Sequence, residues 1–85
     1  MNELRIIGLL ITDRIKEAGK TQEVLTKYAH IIKSRLGFHE VSESICSRVG
    51  FIILQVAGSV EDFNNFHKEL DGLGGVEVQQ MVFHY

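Results

Sequence analysis

The sequence lacks several features that mark large classes of protein. Among its 85 residues there is no proline and one cysteine, Cys46, and the glycines are dispersed along the chain. A lone cysteine cannot form an internal disulfide, and a chain without a proline-rich or glycine-rich stretch offers no linker between domains. The sequence therefore predicts a single domain over residues 1–85, which excludes a two-domain enzyme and a long repeat array.

Charge of one sign and long hydrophobic runs are also missing. Nine Lys and Arg against 11 Asp and Glu give a formal net charge of −2, without the basic excess that neutralising phosphates requires. The longest apolar stretches, residues 6–11 and 49–57, fall well short of the ~20 residues of a membrane span, and the first residues do not resemble a signal peptide. We therefore expect a cytoplasmic protein that binds neither nucleic acid directly nor membranes.

The short chain also limits the core. A domain of this length buries only about 60–65% of the surface that its unfolded chain exposes. Association with a second copy buries more apolar surface and compensates for a thin core. We therefore expect self-association into a dimer or tetramer.

Four segments have the character of β-strands. Residues 5–12 and 49–57 are almost continuously apolar and β-branched, which is typical of central strands covered on both faces. Residues 31–41 and 76–82 alternate between polar and apolar side chains, and the polar residues 42–47 between the second and third strands predict a hairpin tip.

Two segments have helical spacing. Asp13 is a candidate N-cap for a helix over residues 14–29, whose apolar stripe is predicted to contain Ile15, Ala18, Gln22, Leu25, Ala29 and Ile32. Ser59 is a candidate N-cap for a helix over residues 60–73, with Phe63, Phe66, Leu70 and Leu73 on its apolar side. Gly74 and Gly75 are predicted to end this helix. Gly19 weakens the first helix, and either admits a close neighbour or is merely tolerated.

The element order β-α-β-β-α-β predicts an α+β, ferredoxin-like fold. In this fold a four-stranded antiparallel sheet, in order 4-1-3-2, carries both helices on one face. Neither central strand has a polar side. On the first strand, Ile6, Gly8 and Leu10 alternate with Ile7, Leu9 and Ile11. On the third strand, Phe51, Ile53 and Gln55 alternate with Ile52, Leu54 and Val56. One of these sets on each strand must face something other than water, which predicts an interaction surface.

The hairpin holds the residues with the greatest chemical capacity. His39 and Cys46 are a candidate pair of transition-metal ligands, although no CxxC, HxxxH or HExxH motif occurs. Arg35 and Arg48, with Gly37 and His39, are candidates for binding an anionic effector, and Arg5 could extend this group into a basic patch. Charges that protect a sheet edge from aggregation would give the same pattern. The carboxylates are accounted for by helix starts and solvated turns, so we expect no enzyme and no catalytic residue.

Several segments, taken in order, resemble a known family. In the first half of the chain they are Arg5, which opens a strand that ends in Asp13-Arg14, and Val24-Leu25 with Tyr28 and Ile32, which precede Arg35-Leu36-Gly37. In the second half they are Asp62 and Leu70 with Leu73-Gly74-Gly75-Val76. The chain resembles the regulators of the iron-only hydrogenase system, ACT-like domains related in fold to the C-terminal domain of nickel-responsive repressors. The resemblance implies a ferredoxin-like fold, self-association through the sheet and a non-enzymatic role in transcriptional regulation through a partner. The repressors' nickel ligands do not carry over, and the hairpin tip is longer than the family's.

Two functions follow as hypotheses. The preferred one is a small oligomeric regulatory or sensor protein that binds a small-molecule effector or a protein partner, without a cofactor. The alternative is a metal-binding protein or small ferredoxin-like enzyme that uses His39 and Cys46 of the hairpin.

Overall fold

Six elements follow one another in the predicted order. The structure, a computed structural model, describes residues 3–41 and 46–85, and within them the side chains of all residues except 14, 38–41 and 46–48. The elements are β1 (Glu3–Ile11), α1 (Arg14–Lys27), β2 (Ile32–Val41), β3 (Cys46–Val56), α2 (Val60–Asp71) and β4 (Val76–His84). Neither helix of the described chain has the length and apolar character needed to cross a bilayer.

The strands form one antiparallel sheet in the order β2-β3-β1-β4. This is the predicted order 4-1-3-2 counted from the other edge, so the ferredoxin-like fold is confirmed. The two most apolar strands lie in the centre, where Leu9 pairs with Ile52 and Ile7 with Leu54.

The helices cover one face of this sheet. Side chains alternate along β1 between fully buried and half-buried, because successive residues of a strand point to opposite faces. The buried set on the two central strands contains Ile7, Leu9, Ile11, Ile52, Leu54 and Val56. They pack with Leu25, Tyr28, Phe63, Phe66 and Leu70 from the helices. The alternate set, on the other face, is considered below as a candidate interaction surface.

The predicted apolar stripe of α1 is wrong. Ile15 is 62% exposed, and of the six residues in that stripe only Leu25 is fully buried. The side chains that α1 buries are Glu17, Thr21 and Leu25, followed by the C-cap residue Tyr28. At about 100° per residue this row lies roughly a quarter turn from the predicted one. Counting apolar residues could not identify it because two of its members are polar.

Both predicted helix starts are confirmed. Asp13 Oδ1 accepts hydrogen bonds from the backbone N–H groups of Ile15 and Lys16, each at 3.2 Å. Ser59 Oγ accepts one from the N–H of Asp62 at 3.1 Å. Each cap satisfies backbone donors that have no partner within the helix.

The predicted end of α2 needs correction. The helix ends at Asp71 and its C-cap is Gly72, with φ of −78°, two residues before the predicted glycine pair. The left-handed residue is Gly75, with φ of 73°, which turns the chain into β4. Its carbonyl oxygen accepts hydrogen bonds from the N–H of Thr12 at 2.9 Å and from Thr12 Oγ1 at 3.0 Å. This turn therefore ties the end of β1 to the start of β4.

The hairpin between β2 and β3 is shorter than predicted. Val41 pairs with Cys46, so β3 begins at Cys46, inside the segment that was expected to form the tip, whereas β2 ends at Val41 as predicted. Residues 42–45 lie outside the described residues.

Candidate functional site

A cavity of about 500 Å³ lies between α1 and the β2–β3 side of the sheet. We call it the α1 cavity. Its walls come from the middle of α1 and, on the sheet, from helix-facing positions together with Phe51, whose side chain lies on the opposite face. The lining residues are Ile11, Ala18, Gly19, Thr21, Gln22, Arg35, Gly37, Gly50, Phe51 and Ile52.

Small residues create this space. A Cβ atom on Gly19 would meet no described atom within 4 Å, and one on Gly37 would first meet Ile52 Cγ1 at 3.9 Å. The helix and the sheet are therefore not in close contact at these positions. The suggestion that Gly19 admits a close neighbour is wrong, because this glycine borders open space.

Thr21 is a buried polar residue of the lining, whose hydroxyl is enclosed by the fold. The residue is 2% exposed, and its Oγ1 atom has no hydrogen-bond partner among the described residues. A buried polar atom without a partner has lost its hydration without compensation, which makes this atom unusual in a folded protein. Thr21 was not a candidate from the sequence, because a single threonine within a helix gives no signal of a site.

Arg35 is the one cationic side chain among the described residues of the lining. It extends from β2, and its Nη1 donates a hydrogen bond to Gln22 Oε1 of α1 at 2.9 Å. This bond joins the two walls and positions the guanidinium, which has further N–H donors for a ligand. Arg35 and Gly37, both predicted as effector-binding residues, are thus brought together at the α1 cavity.

The other predicted site residues are only partly placed. His39 pairs through its backbone with Gly50 of the cavity lining; its side chain, and those of Cys46 and Arg48, lie outside the described residues. Among the residues that the structure describes, no group of three or more His, Cys, Asp and Glu could hold a metal ion. The effector role of His39 and Arg48 and the metal role of His39 and Cys46 remain predictions.

Arg5 does not contribute to the predicted basic patch. It is 8% exposed, and its guanidinium lies 4.4 Å from the centre of the Phe63 ring. It forms an ion pair with Glu3 at 3.2 Å and a hydrogen bond to Gln80 at 3.3 Å. Its charge is therefore used within the fold.

A charged group links the two helices. Tyr28 donates a hydrogen bond to Glu69, and Lys27 Nζ lies 2.9 Å from Glu69 Oε1. The hydrogen bond to Glu69 raises the pKa of Tyr28 to about 12, and the same bond lowers the pKa of Glu69. A tyrosine that holds its proton this strongly serves as a hydrogen-bond donor between helices. This group could not be predicted from the sequence, because Tyr28 and Glu69 lie 41 positions apart.

The face of the sheet opposite the helices is the second candidate surface, which we call the open face. Three of its apolar side chains are largely exposed: Leu36 at 61%, Met81 at 57% and Phe83 at 49%. In the centre Phe51 lies across Gly8, where a Cβ atom would be 3.7 Å from Phe51 Cζ. Shallow depressions of about 260 and 210 Å³ flank this contact. The predicted sets of alternate residues, Ile6, Gly8 and Leu10 with Phe51, Ile53 and Gln55, lie on this face.

Comparison with known proteins supports the fold alone. No protein-family model matches the chain, and no curated protein matches it. An uncharacterized protein from Thermotoga maritima has a similar structure, with a TM-score of 0.82 and 20% identity over 96% of this chain and 99% of that one. A cofactor-independent oxygenase from Streptomyces nogalater matches with a TM-score of 0.58 and 8% identity over 100% of this chain and 94% of that one. At these identities the chain shares the ferredoxin-like fold of small proteins whose functions differ or are unknown.

Proposed function

We propose that this chain is a small, oligomeric, non-enzymatic regulatory protein of the cytoplasm, which acts by binding an effector or partner. The resemblance to the regulators of the iron-only hydrogenase system supports the regulatory role. The observation that carries the proposal is the open face, because an apolar surface over four strands needs a covering partner.

A second copy of the chain fits the open face best. Among the described residues of β1 and β4 whose side chains lie on the open face, Glu77 is the one charged residue. A nearly uncharged apolar surface is complementary to itself, and a two-fold axis would bring identical patches together. A strongly charged partner would find little to pair with on these strands.

The area of the open face is sufficient for a dimer. Four strands spaced about 4.8 Å apart and about nine residues long give a surface of roughly 20 by 30 Å. Two such surfaces would bury about 1,200 Å², the lower end of the range for stable protein interfaces. The dimer would also supply the apolar burial that a domain of this size lacks.

The roles of the ionisable groups support a binding function. Asp13 caps α1, Arg5 is held within the fold by Glu3, and the bond to Glu69 raises the pKa of Tyr28 to about 12. Each of these groups stabilises structure. Arg35, by contrast, lies at a cavity.

Ile53→Asp tests the self-association. Ile53 is half-buried on the open face, so aspartate there should leave the monomer folded and place a charge in the interface. The matched control is Val60→Asp, the same kind of change at a residue that is 54% exposed at the start of α2. Light scattering should give wild type and the control at least twice 9.6 kDa, and Ile53→Asp a folded monomer. A monomeric wild type at 100 μM, or an unchanged oligomer in the Ile53 variant, would refute the interface.

The regulatory role requires a separate test. Deleting the gene should change the transcript levels of iron-only hydrogenase genes at least twofold, and the Ile53→Asp chain should fail to restore them. The purified chain, with its net charge of −2, should not bind random duplex DNA at nanomolar concentration, because it lacks the basic excess that such binding needs. Unchanged hydrogenase transcripts would contradict the link to this system.

A further inference from the structure

We propose that the outer edge of β4 pairs with the β4 of a second copy, so that two open-face dimers join their sheets and form a tetramer. The inference rests on the open-face dimer proposed above and adds a second interface to it. It is carried by three features of β4, which are its unprotected edge, the direction of its backbone groups and a sequence that suits antiparallel pairing with itself.

β4 is an edge strand without the usual protection against pairing. It lies at the end of the sheet order β2-β3-β1-β4, and its nine residues, Val76–His84, contain no Pro, Lys or Arg. Its pairing with β1 runs without a register shift from Val76 to His84, so no bulge bends this edge. Edge strands that must stay unpaired usually carry lysine, proline or a bulge. β4 therefore has the form of a strand that accepts a neighbour.

The opposite edge of the sheet, β2, carries such protection. Lys33 is exposed on it, and its pairing with β3 shifts register between Ile32 and Ser34 and again between His39 and Val41. A charged and irregular edge disfavours a further strand. The two edges therefore differ, and β4 is the one suited to pairing.

The backbone groups that point away from β1 belong to alternate residues of β4. The N–H of Thr12 donates to the carbonyl oxygen of Gly75 at 2.9 Å, and these two residues continue the β1–β4 register by one pair. Hydrogen-bonded and non-hydrogen-bonded pairs alternate along an antiparallel ladder. The odd-numbered residues of β4 therefore bond to β1. The N–H and C=O groups of the even-numbered residues, such as Val78, Gln80 and Val82, point outward toward the position of a further strand.

Two copies of β4 match when Gln80 lies opposite its own counterpart. All nine residues of the strand then pair, and every outward-pointing residue meets another outward-pointing residue. Val78 lies opposite Val82 of the second copy, and Glu77 lies opposite Phe83, so the carboxylate does not meet its own copy. Apolar cross-strand pairs stabilise a sheet, whereas like charges placed opposite one another destabilise it. The pairing would also cover Val82, which is 39% exposed.

One edge contact is small, whereas two together are sufficient. A strand of nine residues is about 30 Å long and a sheet is about 10 Å thick, so each chain would bury roughly 300 Å² at this edge. The roughly 600 Å² buried by two single chains falls below the ~1,200 Å² at which stable interfaces begin. Two open-face dimers make two edge contacts at once and reach that area. The edge therefore holds chains that are already paired through the open face.

The symmetry of the open-face dimer decides whether this assembly closes. A two-fold axis that runs across the strands places both β4 strands on the same side of the dimer, and two dimers then complete each other as a tetramer. An axis along the strands would place the β4 strands on opposite sides, and edge pairing would continue into a filament. We therefore infer that the axis runs across the strands.

Light scattering of single-residue variants tests the edge. Wild type at 100 μM should have about four times the 9.6 kDa of one chain. Val82→Pro removes an outward-pointing N–H and leaves the bonds to β1 in place, a change that edge strands tolerate, and should give a folded dimer. Val82→Thr keeps the N–H and the shape of the side chain and should remain a tetramer. Ile53→Asp should be a monomer, because a single edge contact is too small to hold two chains.

Amide hydrogen exchange tests the edge without a substitution in β4. In wild type the amides of Val78, Gln80 and Val82 should exchange at least tenfold more slowly than in the Ile53→Asp monomer. The amides of Gln79 and Met81, which bond to β1, should be protected in both proteins. This alternation distinguishes pairing of the β4 edge from a general gain in stability.

Three results would overturn the inference: a wild-type dimer, a Val82→Pro tetramer, or outward amides that exchange equally fast in wild type and Ile53→Asp. A wild-type dimer that Ile53→Asp converts to a monomer refutes the edge pairing alone. An oligomer that Ile53→Asp leaves unchanged and Val82→Pro converts to a monomer supports the edge and refutes the open-face interface alone.

Discussion

Replacing Thr21 by valine should stabilise the protein. Valine has nearly the same shape as threonine, and the two have similar helix propensities, so the change removes a hydroxyl with little effect on packing. Because Thr21 Oγ1 is buried and has no partner among the described residues, it contributes an uncompensated desolvation cost of about 1–3 kcal/mol. Most of this cost should be recovered, which predicts an increase of about 1–2 kcal/mol in the free energy of unfolding.

Thr26→Val on the same helix is the matched control. Thr26 is exposed, and its hydroxyl accepts a hydrogen bond from Gln22 Nε2 at 3.1 Å. Its replacement removes a hydroxyl that is already paired and close to water, so the free energy of unfolding should change by less than about 0.5 kcal/mol. The difference between the two variants isolates the effect of burial without a partner.

Urea and thermal unfolding provide the assay. All variants are compared at one protein concentration, because self-association makes stability depend on concentration. For a domain of this size, each kcal/mol corresponds to about 4–8 °C in Tm, so Thr21→Val should melt at least ~4 °C above wild type. A Thr21→Val protein that is no more stable than wild type would refute the reasoning, since the hydroxyl would then have a partner that supports the fold.

Two further predictions concern glycine and pH. Gly19→Ala should stabilise α1 by about 1 kcal/mol, whereas Gly75→Ala, at φ of 73°, should destabilise the protein by about 1–2 kcal/mol. Urea unfolding measures both changes in the free energy of unfolding, and two equal changes would contradict the prediction. Tyr28→Phe should weaken the pH dependence of stability. The lowered pKa of Glu69 stabilises the fold above its ordinary value of 4.5, and this is lost as pH falls through the folded-state value. The Tyr28 contribution is present below pH 10 and is lost as pH rises through about 12. If stability depends on pH in Tyr28→Phe as it does in wild type, the role given to the Tyr28–Glu69 hydrogen bond is contradicted.

The sheet could be predicted because its central strands lack polar residues. Residues such as Leu9 and Leu54, both fully buried, belong to runs that suit only the middle of a sheet, and β-α-β-β-α-β order then leaves few topologies. The open face could be predicted for the same reason, since two helices cover one side. These inferences depend on the composition of whole segments and tolerate errors at single residues.

The α1 cavity was beyond sequence reasoning because it depends on the rotation of one helix. A quarter turn separates the predicted stripe from the observed one, which buries Glu17 and Thr21 and leaves Ile15 exposed. Arg35 and Gly37, which line the cavity, were predicted as effector-binding residues because the hairpin region carries the side chains with the greatest chemical capacity. Gln22 was missed as the hydrogen-bond partner of Arg35, because its role depends on what lies opposite it in space.

The lengths of the elements explain where the cavity lies. β2 and β3 contain 10 and 11 residues, or about 33–36 Å of strand, whereas α1 and α2 contain 14 and 12 residues, or about 21 and 18 Å of helix. A helical layer of this length cannot cover the β2–β3 hairpin from end to end. Gly37 and Gly50 lie on the part of these strands nearer the hairpin tip, where large helix-facing side chains would otherwise fill the space. Longer strands and small residues therefore place the cavity at the end of the sheet that also carries His39 and Arg48, the binding residues that the sequence predicts.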